Sequence, residues 1–332
     1  MIPERGEPVE KNKTKLHRKR RFGDRYDGWK LTNVDPFFRL IPHIMHKRND
    51  AQVFFDEVIE INNLEKFVRR MRHETEMSDL SLLHVFIAAF VRMIAKYPCV
   101  NRFVSGRKIY ARNTIEFSFA IKKEMTLESE ETTIKVKFEP TDTLYDVWKK
   151  VSEQIALNKS AEMQNDTDII AKLLSYCPAF LVKFIVFLMD NLDHIGLMPK
   201  AIHDFSPFHT SVFITDMGST GLGSVFHHVY NFGTCSVFCC IGKKGRMLRL
   251  DEKDQVVNAR TMNLRFVVDE RICDGYYYAV TIRDLLRLLK KPDSLLMPPE
   301  DIVEDPGLPL TRKEKKVLKK EKKLREKAEA AA

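Results

Sequence analysis

Alternation of apolar and polar residues recurs along this chain, and its period of two predicts β-strands. The clearest example is 53–61, where Val53, Phe55, Ile59 and Ile61 share one face. Similar short runs predict further strands at 115–121, 133–138, 211–215, 236–241 and 262–268.

Apolar residues at three- and four-residue spacing predict helices between these strands. The clearest helix spans 78–96, carries Leu82, Phe86 and Phe90 on one face, and stops before Pro98. Three further helices are predicted at 62–72, 142–155 and 277–290. Strands and helices mix without a strict β-α-β rhythm. We therefore predict a two-layer α/β fold with a mixed β-sheet flanked by helices.

Composition divides the chain into three parts. Residues 1–35 are predicted to be a basic N-terminal arm, 36–300 one folded domain, and 301–332 a charged C-terminal tail. Within the domain, 158–206 resembles an insertion, polar as far as Asp168 and then apolar and helical to about residue 202.

Overall composition narrows the function classes. The net charge is +9, but the basic C-terminal tail is interleaved with glutamates and no aromatic stacking motif accompanies the basic runs, which argues against nucleic-acid binding. The N-terminus is polar and shows no signal peptide, so a cytoplasmic protein is expected. Six cysteines show neither metal-site nor disulfide spacing, so we expect reduced thiols and no metal.

The longest apolar stretch runs over 173–189 and is interrupted by Pro178 and Lys183. It is short for a membrane span and has a charge near its middle, which favours a buried or interface helix. Contact with lipid or a membrane surface through 168–202 is the alternative.

Candidate chemistry concentrates in Asp269-Glu270-Arg271-Ile272-Cys273-Asp274-Gly275, between a predicted strand and a predicted helix. This run resembles the "D-H-R-x-x-D-G" motif of the dihydrolipoyl acyltransferase catalytic domain of 2-oxoacid dehydrogenase complexes. The segment 95–101 resembles that family's "KYP-x-hydrophobic-N", 115–121 its "hydrophobic-G-hydrophobic-A" strand, and 211–218 its "T-F-T-I-S-N-L-G". Order and spacing agree over about 50–297.

The resemblance implies a chloramphenicol-acetyltransferase-like fold and a homotrimer, with 36–300 as an acyltransferase-like catalytic domain. In the family the active site lies in a channel between subunits, where coenzyme A and the acyl acceptor enter from opposite sides. The motif histidine takes a proton from the attacking thiol or hydroxyl, and a serine stabilises the oxyanion. The motif aspartate anchors local structure through an arginine. Residues 1–50 are too few for the lipoyl and subunit-binding domains, so no lipoyl domain is expected here.

Carried over by position, Arg271, Asp274 and Gly275 match the motif, and Thr215 keeps a hydroxyl at the oxyanion serine position. Glu270 stands in place of the histidine. A free carboxyl (pKa about 4.3) is a weaker base than a free imidazole (about 6.5). Burial can raise a carboxyl pKa and reduce that penalty.

Three interpretations of the base stay open. Glu270 is the base of a modified acyltransferase, or it marks a lost active site, or another residue is the base. His228, from the pair at 227–228, and His209 are the candidates for the third interpretation.

The basic run at 241–246 includes Lys243 and Lys244, which could reach coenzyme A phosphates, although a solvated hairpin turn is the simpler interpretation. The sequence therefore supports two hypotheses. One is a CoA-dependent acyltransferase homologue that uses an acyl-CoA thioester and an unknown acceptor. The other is a catalytically inactive trimeric scaffold or acyl-CoA-binding protein.

Overall fold

The computed structural model describes residues 18–122, 131–159, 175–250 and 253–310. The strands of this part are β1 (Gly28–Lys30), β2 (Gln52–Glu60), β3 (Arg102–Ser105), β4 (Lys108–Arg112), β5 (Ile115–Lys122), β6 (Glu131–Phe138), β7 (Val212–Asp216), β8 (Val237–Leu250) and β9 (Val256–Asp269). Its α-helices are α1 (Pro36–Ile44), α2 (Asn62–Glu74), α3 (Leu82–Lys96), α4 (Leu144–Lys159), α5 (Ala179–His194), α6 (Lys200–Phe205) and α7 (Gly275–Lys290).

The main sheet has six strands in the order β2-β9-β8-β7-β5-β6. Strand β7 pairs in parallel with both β5 and β8, and the other neighbours are antiparallel. Helices α2, α3, α4 and α7 pack with the sheet in one large core. The predicted mixed sheet flanked by helices is confirmed.

Alternation along β7 separates the two faces of this sheet. Val212 and Ile214 join the large core beneath the helices. Phe213 belongs instead to a small cluster on the opposite face, where its ring stacks on Phe238 of β8 at 4.8 Å between centroids. Because successive strand residues point to opposite faces, Thr215 lies on the same face as Phe213.

A smaller antiparallel sheet, β1-β4-β3, joins the N-terminal segment to the domain. Arg25, Asp27 and Trp29 are buried, so the segment predicted as a basic arm over 1–35 ends in core residues. Residues 1–17 and 311–332 lie outside the described residues.

The β8–β9 hairpin is longer than predicted. Gly245 pairs with Thr261 and Leu250 with Val256, so the predicted turn at 241–246 is wrong and this segment is strand. The pairing register shifts between Ile241 and Lys244. Such an irregularity interrupts the period-two pattern that identifies a strand in sequence.

Helices α5 and α6 lie in the segment predicted as a helical insertion, of which 160–174 lie outside the described residues. Helix α5 is exposed along most of its length. Within the ranges described, none of the helices is both long and apolar enough to cross a membrane.

Candidate active site

Thr215 lies near the end of β7, on the sheet face away from the helices. It pairs with Cys240 of β8, and the Val225 N–H donates a hydrogen bond to the Cys240 Sγ at 3.3 Å. The segment after β7 therefore crosses this face beside Thr215. The Thr215 Oγ1 is buried and has no hydrogen-bond partner among the described residues. An unpaired hydroxyl is free to donate to an incoming oxygen.

Glu270 directly follows β9 and is exposed. Its backbone N–H donates to the Ala51 carbonyl at 2.8 Å, which ties the chain at this point to the start of β2. Its carboxylate forms no ion pair with any described residue. The substituted motif position is therefore fixed by its backbone while its side chain faces outward from the protomer.

Asp269 and Arg271, on either side of Glu270, are buried and bind each other. Arg271 donates from Nε and Nη2 to the two Asp269 carboxylate oxygens at 2.8 and 2.7 Å. The Arg48 Nε lies 3.4 Å from Asp269 Oδ2, so one carboxylate lies between two guanidinium groups. Arg271 Nη1 also donates to the carbonyls of Met45 and His46, both at 3.2 Å. This cluster holds the backbone around Glu270.

Asp274 has a different role from the one implied by the resemblance. Its carboxylate accepts the Tyr277 N–H at 2.7 Å and caps α7. A capping carboxylate satisfies one of the free amides at a helix N-terminus. Gly275 is the first residue of α7, and a Cβ there would contact nothing within 4 Å. The anchoring to arginine is made by Asp269 instead.

The strand register measures the separation of Thr215 and Glu270 within one protomer. Thr215 is opposite Cys240, and Cys240 is opposite Arg265. Glu270 is five residues beyond Arg265, or about 17 Å along β9 at roughly 3.3 Å per residue. It is also two strands away. Within one protomer, Thr215 and Glu270 therefore cannot act on the same bond of a substrate.

His209 is fully buried and belongs to a polar cluster with Ser206 and Asp193. Its Nδ1 is 2.7 Å from the Ser206 Oγ and its Nε2 is 3.5 Å from Asp193 Oδ1. Burial lowers the pKa of His209 to about 4, against the attraction of Asp193. Its contacts attach the end of α5 to the domain, and its side chain is inaccessible to solvent.

His228 is exposed, and its ring meets Tyr230 edge-on at 4.8 Å. The neighbouring His227 lies on the sheet face of Thr215, where its ring stacks on Phe238 at 4.5 Å. Phe238 precedes Cys240 on the same face of β8, so His227 lies about one strand repeat from Thr215. His228 is the member of this pair that was predicted as an alternative base, and no local pattern in the sequence distinguishes it from His227.

Lys243 and Lys244 lie on β8 just beyond the level of Thr215. The Lys244 Nζ is 2.7 Å from Glu65 Oε1 of α2, and both lysines are exposed. Asp216 is near Lys244, and burial raises the pKa of its carboxyl. The lysines therefore border the Thr215 end of the sheet.

The buried thiols offer no nucleophile. Burial raises the pKa of Cys273 well above its usual value, so the thiol stays protonated. In the part of the chain that is described, no group of three or more histidine, cysteine or acidic residues could hold a metal ion.

Neither a protein-family model nor a curated protein sequence matches this chain. Solved structures do match. A probable dihydrolipoamide acetyltransferase from Listeria monocytogenes aligns at a TM-score of 0.52 and 12% identity, over 79% of this chain and 95% of that one. The Azotobacter vinelandii dihydrolipoamide acetyltransferase aligns at 0.52 and 14% identity, over 80% and 94%. The cubic core of the pyruvate dehydrogenase multienzyme complex aligns at 0.51 and 12%, over 79% and 89%.

This chain has the fold of a dihydrolipoamide acetyltransferase core. The chloramphenicol-acetyltransferase-like acyltransferase fold predicted from the sequence is thus confirmed. At 12–14% identity, these structural alignments show the acetyltransferase-core fold alone. Activity and substrate are inferred from the site.

Proposed function

We propose that this protein is a CoA-dependent acyltransferase with a modified active site, which transfers an acyl group from an acyl-CoA thioester to an acceptor. Thr215 carries the proposal, because its buried hydroxyl has no partner among the described residues, at the position where the resemblance places the oxyanion serine. A preorganised donor of this kind stabilises the charge that develops when a thioester carbonyl is attacked. The structural relative from Azotobacter vinelandii is a protein whose serine, histidine and asparagine were investigated for roles in catalysis.

The proposal requires a homotrimer. Thr215 and Glu270 of one protomer lie about 17 Å apart along the sheet by the strand rise of roughly 3.3 Å per residue. They can act together only if Glu270 of one subunit meets Thr215 of a neighbour. The exposure of Glu270 in the protomer supports this arrangement, because the side chain is available at the surface.

In this arrangement Glu270 is the base that takes the proton from the attacking group. The acceptor bonds to the acyl carbon as the thioester C–S bond breaks, and the proton passes to the released coenzyme A thiolate. Asp269, Arg271 and Arg48 position its backbone, and Asp274 and Gly275 begin the helix that follows. His209 and His228 remain the alternative bases named from the sequence. Burial of His209 counts against it, and His227 is closer than His228 to the Thr215 face.

Acyl-CoA is the proposed co-substrate. Lys243 and Lys244, exposed at the Thr215 end of the sheet, are the proposed contacts for its phosphates. We also propose that the segment 168–202 contacts lipid and that the protein is cytoplasmic.

A second candidate function is acyl-CoA binding by a trimeric scaffold without turnover. Glutamate at the histidine position favours it, since a free carboxyl is the weaker base by about two pKa units (reference values about 4.3 and 6.5). This candidate requires the same fold, the same trimer and the same lysine contacts with acyl-CoA, but no proton transfer.

The test is thioester hydrolysis and transfer with acetyl-CoA and longer acyl-CoAs over a panel of acceptors. Glu270→Ala and Thr215→Ala should each lower turnover, and Glu139→Ala, an exposed glutamate after the edge strand β6, is the matched control. Unchanged activity in both site variants would reject the enzyme assignment. Calorimetry separates the second candidate, which predicts binding without turnover. A monomer in light scattering would remove the inter-subunit site.

A further inference from the structure

Helix α5 exposes an unusual amount of apolar surface. Phe180, Phe184 and Phe187 are 76%, 59% and 64% exposed. Leu181, Val186 and Leu188 of the same helix are more than a third exposed. At 3.6 residues per turn, five of these six positions lie within an arc of about 120° and form one apolar stripe, and Val186 lies outside it. An exposed apolar surface of this extent marks an interaction site.

The arrangement of these side chains fits a helix that lies in the plane of a membrane interface, with its apolar stripe toward the acyl chains. The 16 residues of α5 span about 24 Å at 1.5 Å per residue, less than the roughly 30 Å of a bilayer core. The helix is therefore too short to cross the core and longer than one leaflet is thick, which favours a position along the interface.

Basic residues surround the C-terminal end of α5. The His194 carbonyl lies against Gly106, in the β3–β4 turn that also exposes Arg107 and Lys108. Ile195 and Leu197, both about two-thirds exposed, follow the helix and lead to the exposed Lys200. Exposed cations beside exposed apolar side chains are complementary to an anionic lipid surface.

The N-terminal segment adds to this end. Arg25 binds Asp193 of α5 at 2.7 Å between Nη2 and Oδ1. Three residues earlier, Phe22 is fully exposed and follows Lys19, Arg20 and Arg21. The acidic side chains of Asp190 and Asp204 are also partly exposed in this region, so the basic excess is moderate.

A buried polar joint holds α5 in place. Asp193, with its side chain 4% exposed, binds Arg25, and the Ser105 hydroxyl donates to its carbonyl at 3.2 Å. The C-terminal end of the helix is thus fixed to the domain, and the apolar remainder is presented outward from a rigid base.

We propose that α5 and the basic residues at its C-terminal end dock this protein on an anionic phospholipid bilayer. The helix enters the interfacial region, and Arg107, Lys108 and Lys200 contact lipid phosphates. This inference concerns a surface separate from Thr215 and Glu270, and it holds whether or not the protein transfers acyl groups.

Co-sedimentation of the full chain with vesicles tests this surface. Vesicles of phosphatidylcholine with about one-third phosphatidylglycerol should bind the protein, and those of pure phosphatidylcholine should bind it at least several-fold more weakly. The triple variant Phe180→Ser, Phe184→Ser, Phe187→Ser should lose at least tenfold in binding. Arg107→Asn with Lys108→Gln should weaken binding to the anionic vesicles several-fold, since Asn tolerates the positive φ of Arg107.

The matched control is Leu248→Ser with Val256→Ser, two apolar residues of the β8–β9 hairpin that are equally exposed. This variant should bind vesicles as the unaltered protein does. Absence of vesicle binding, or equal binding by the triple variant, would overturn the proposal. Loss of the native oligomer in the triple variant without any vesicle binding would assign α5 to a subunit interface and overturn it as well. Circular dichroism confirms that each variant is folded.

Discussion

Arg271 binds Asp269 through two parallel hydrogen bonds, 2.8 and 2.7 Å long, and leaves Glu270 between them exposed. Both partners are nearly inaccessible to solvent, and Arg48 approaches the same carboxylate. Arg271, the arginine next to Glu270, is therefore already paired with Asp269. Its charge does not hold the Glu270 carboxylate in an ion pair.

The first prediction concerns this cluster. Asp269→Asn should lower the free energy of unfolding by about 3–5 kcal/mol, because it leaves two buried guanidinium groups without a counter-charge. Urea unfolding measures the change. The control is Asp56→Asn, which breaks the exposed pair with Arg265 and should cost less than about 1 kcal/mol. Equal costs in the two variants would show that the buried cluster contributes no more than a surface pair.

Sequence reasoning identified the run around Glu270 but not what supports it. The strand before the run and the helix after it follow local patterns, so β9 and α7 were predictable. The contact between Arg48 and Asp269 depends on the pairing of β2 with β9, which joins residues more than 200 positions apart. No local pattern near Arg48 indicates that its charge is buried.

The second prediction tests the substituted base directly. Glu270→His should raise thioester turnover, by up to about a hundredfold if proton abstraction limits the rate, because a free imidazole (pKa about 6.5) is a stronger base than a free carboxyl (about 4.3). Glu270→Gln should lower turnover. Both changes occur at an exposed side chain, so stability should change little. A histidine variant with no gain, beside a glutamine variant with no loss, would exclude position 270 from the chemistry.

The third prediction tests whether turnover depends on the hydroxyl of Thr215 or on the size of its side chain. Thr215→Val keeps the size and should lower turnover about 10²–10³-fold, the usual cost of removing one oxyanion donor. Thr215→Ser keeps the hydroxyl and should retain most activity. The comparison is made on turnover and on acyl-CoA affinity together. A valine variant as active as the serine variant would show that the hydroxyl of Thr215 donates to no reacting oxygen.

The histidine pair shows where sequence reasoning reached its limit in the site. Between β7 and β8 the chain has a short 3-10 helix at Met217–Thr220 but neither a helix nor a strand around the histidines, so no period assigns their faces. The stacking of His227 on Phe238 and the exposure of His228 are set by how that segment crosses the sheet. A fourth prediction follows from this placement. If a histidine assists at Thr215, His227→Ala should lower turnover more than His228→Ala, and the reverse order would contradict the placement.

The last prediction concerns stability at acid pH. Burial lowers the pKa of His84 to about 4, against 6.5 for a free histidine. Between these values the unfolded chain binds the proton and the folded chain does not. The contribution of neutral His84 to the free energy of unfolding is therefore fully present above pH 6.5. It is lost as the pH falls toward 4, and at pH 5 the loss is roughly 2 kcal/mol.

His84→Gln should reduce this dependence without disrupting α3. The ring Nδ1 of His84 accepts the Ser81 N–H at 3.0 Å in a capping box, and glutamine is a standard residue at that position. Urea unfolding at pH 7 and at pH 5 should therefore differ by roughly 2 kcal/mol less in this variant than in the unaltered protein. The same replacement at the exposed His73 is the matched control. An equal effect of the two replacements would contradict the assignment, because burial is the property that distinguishes His84 from His73.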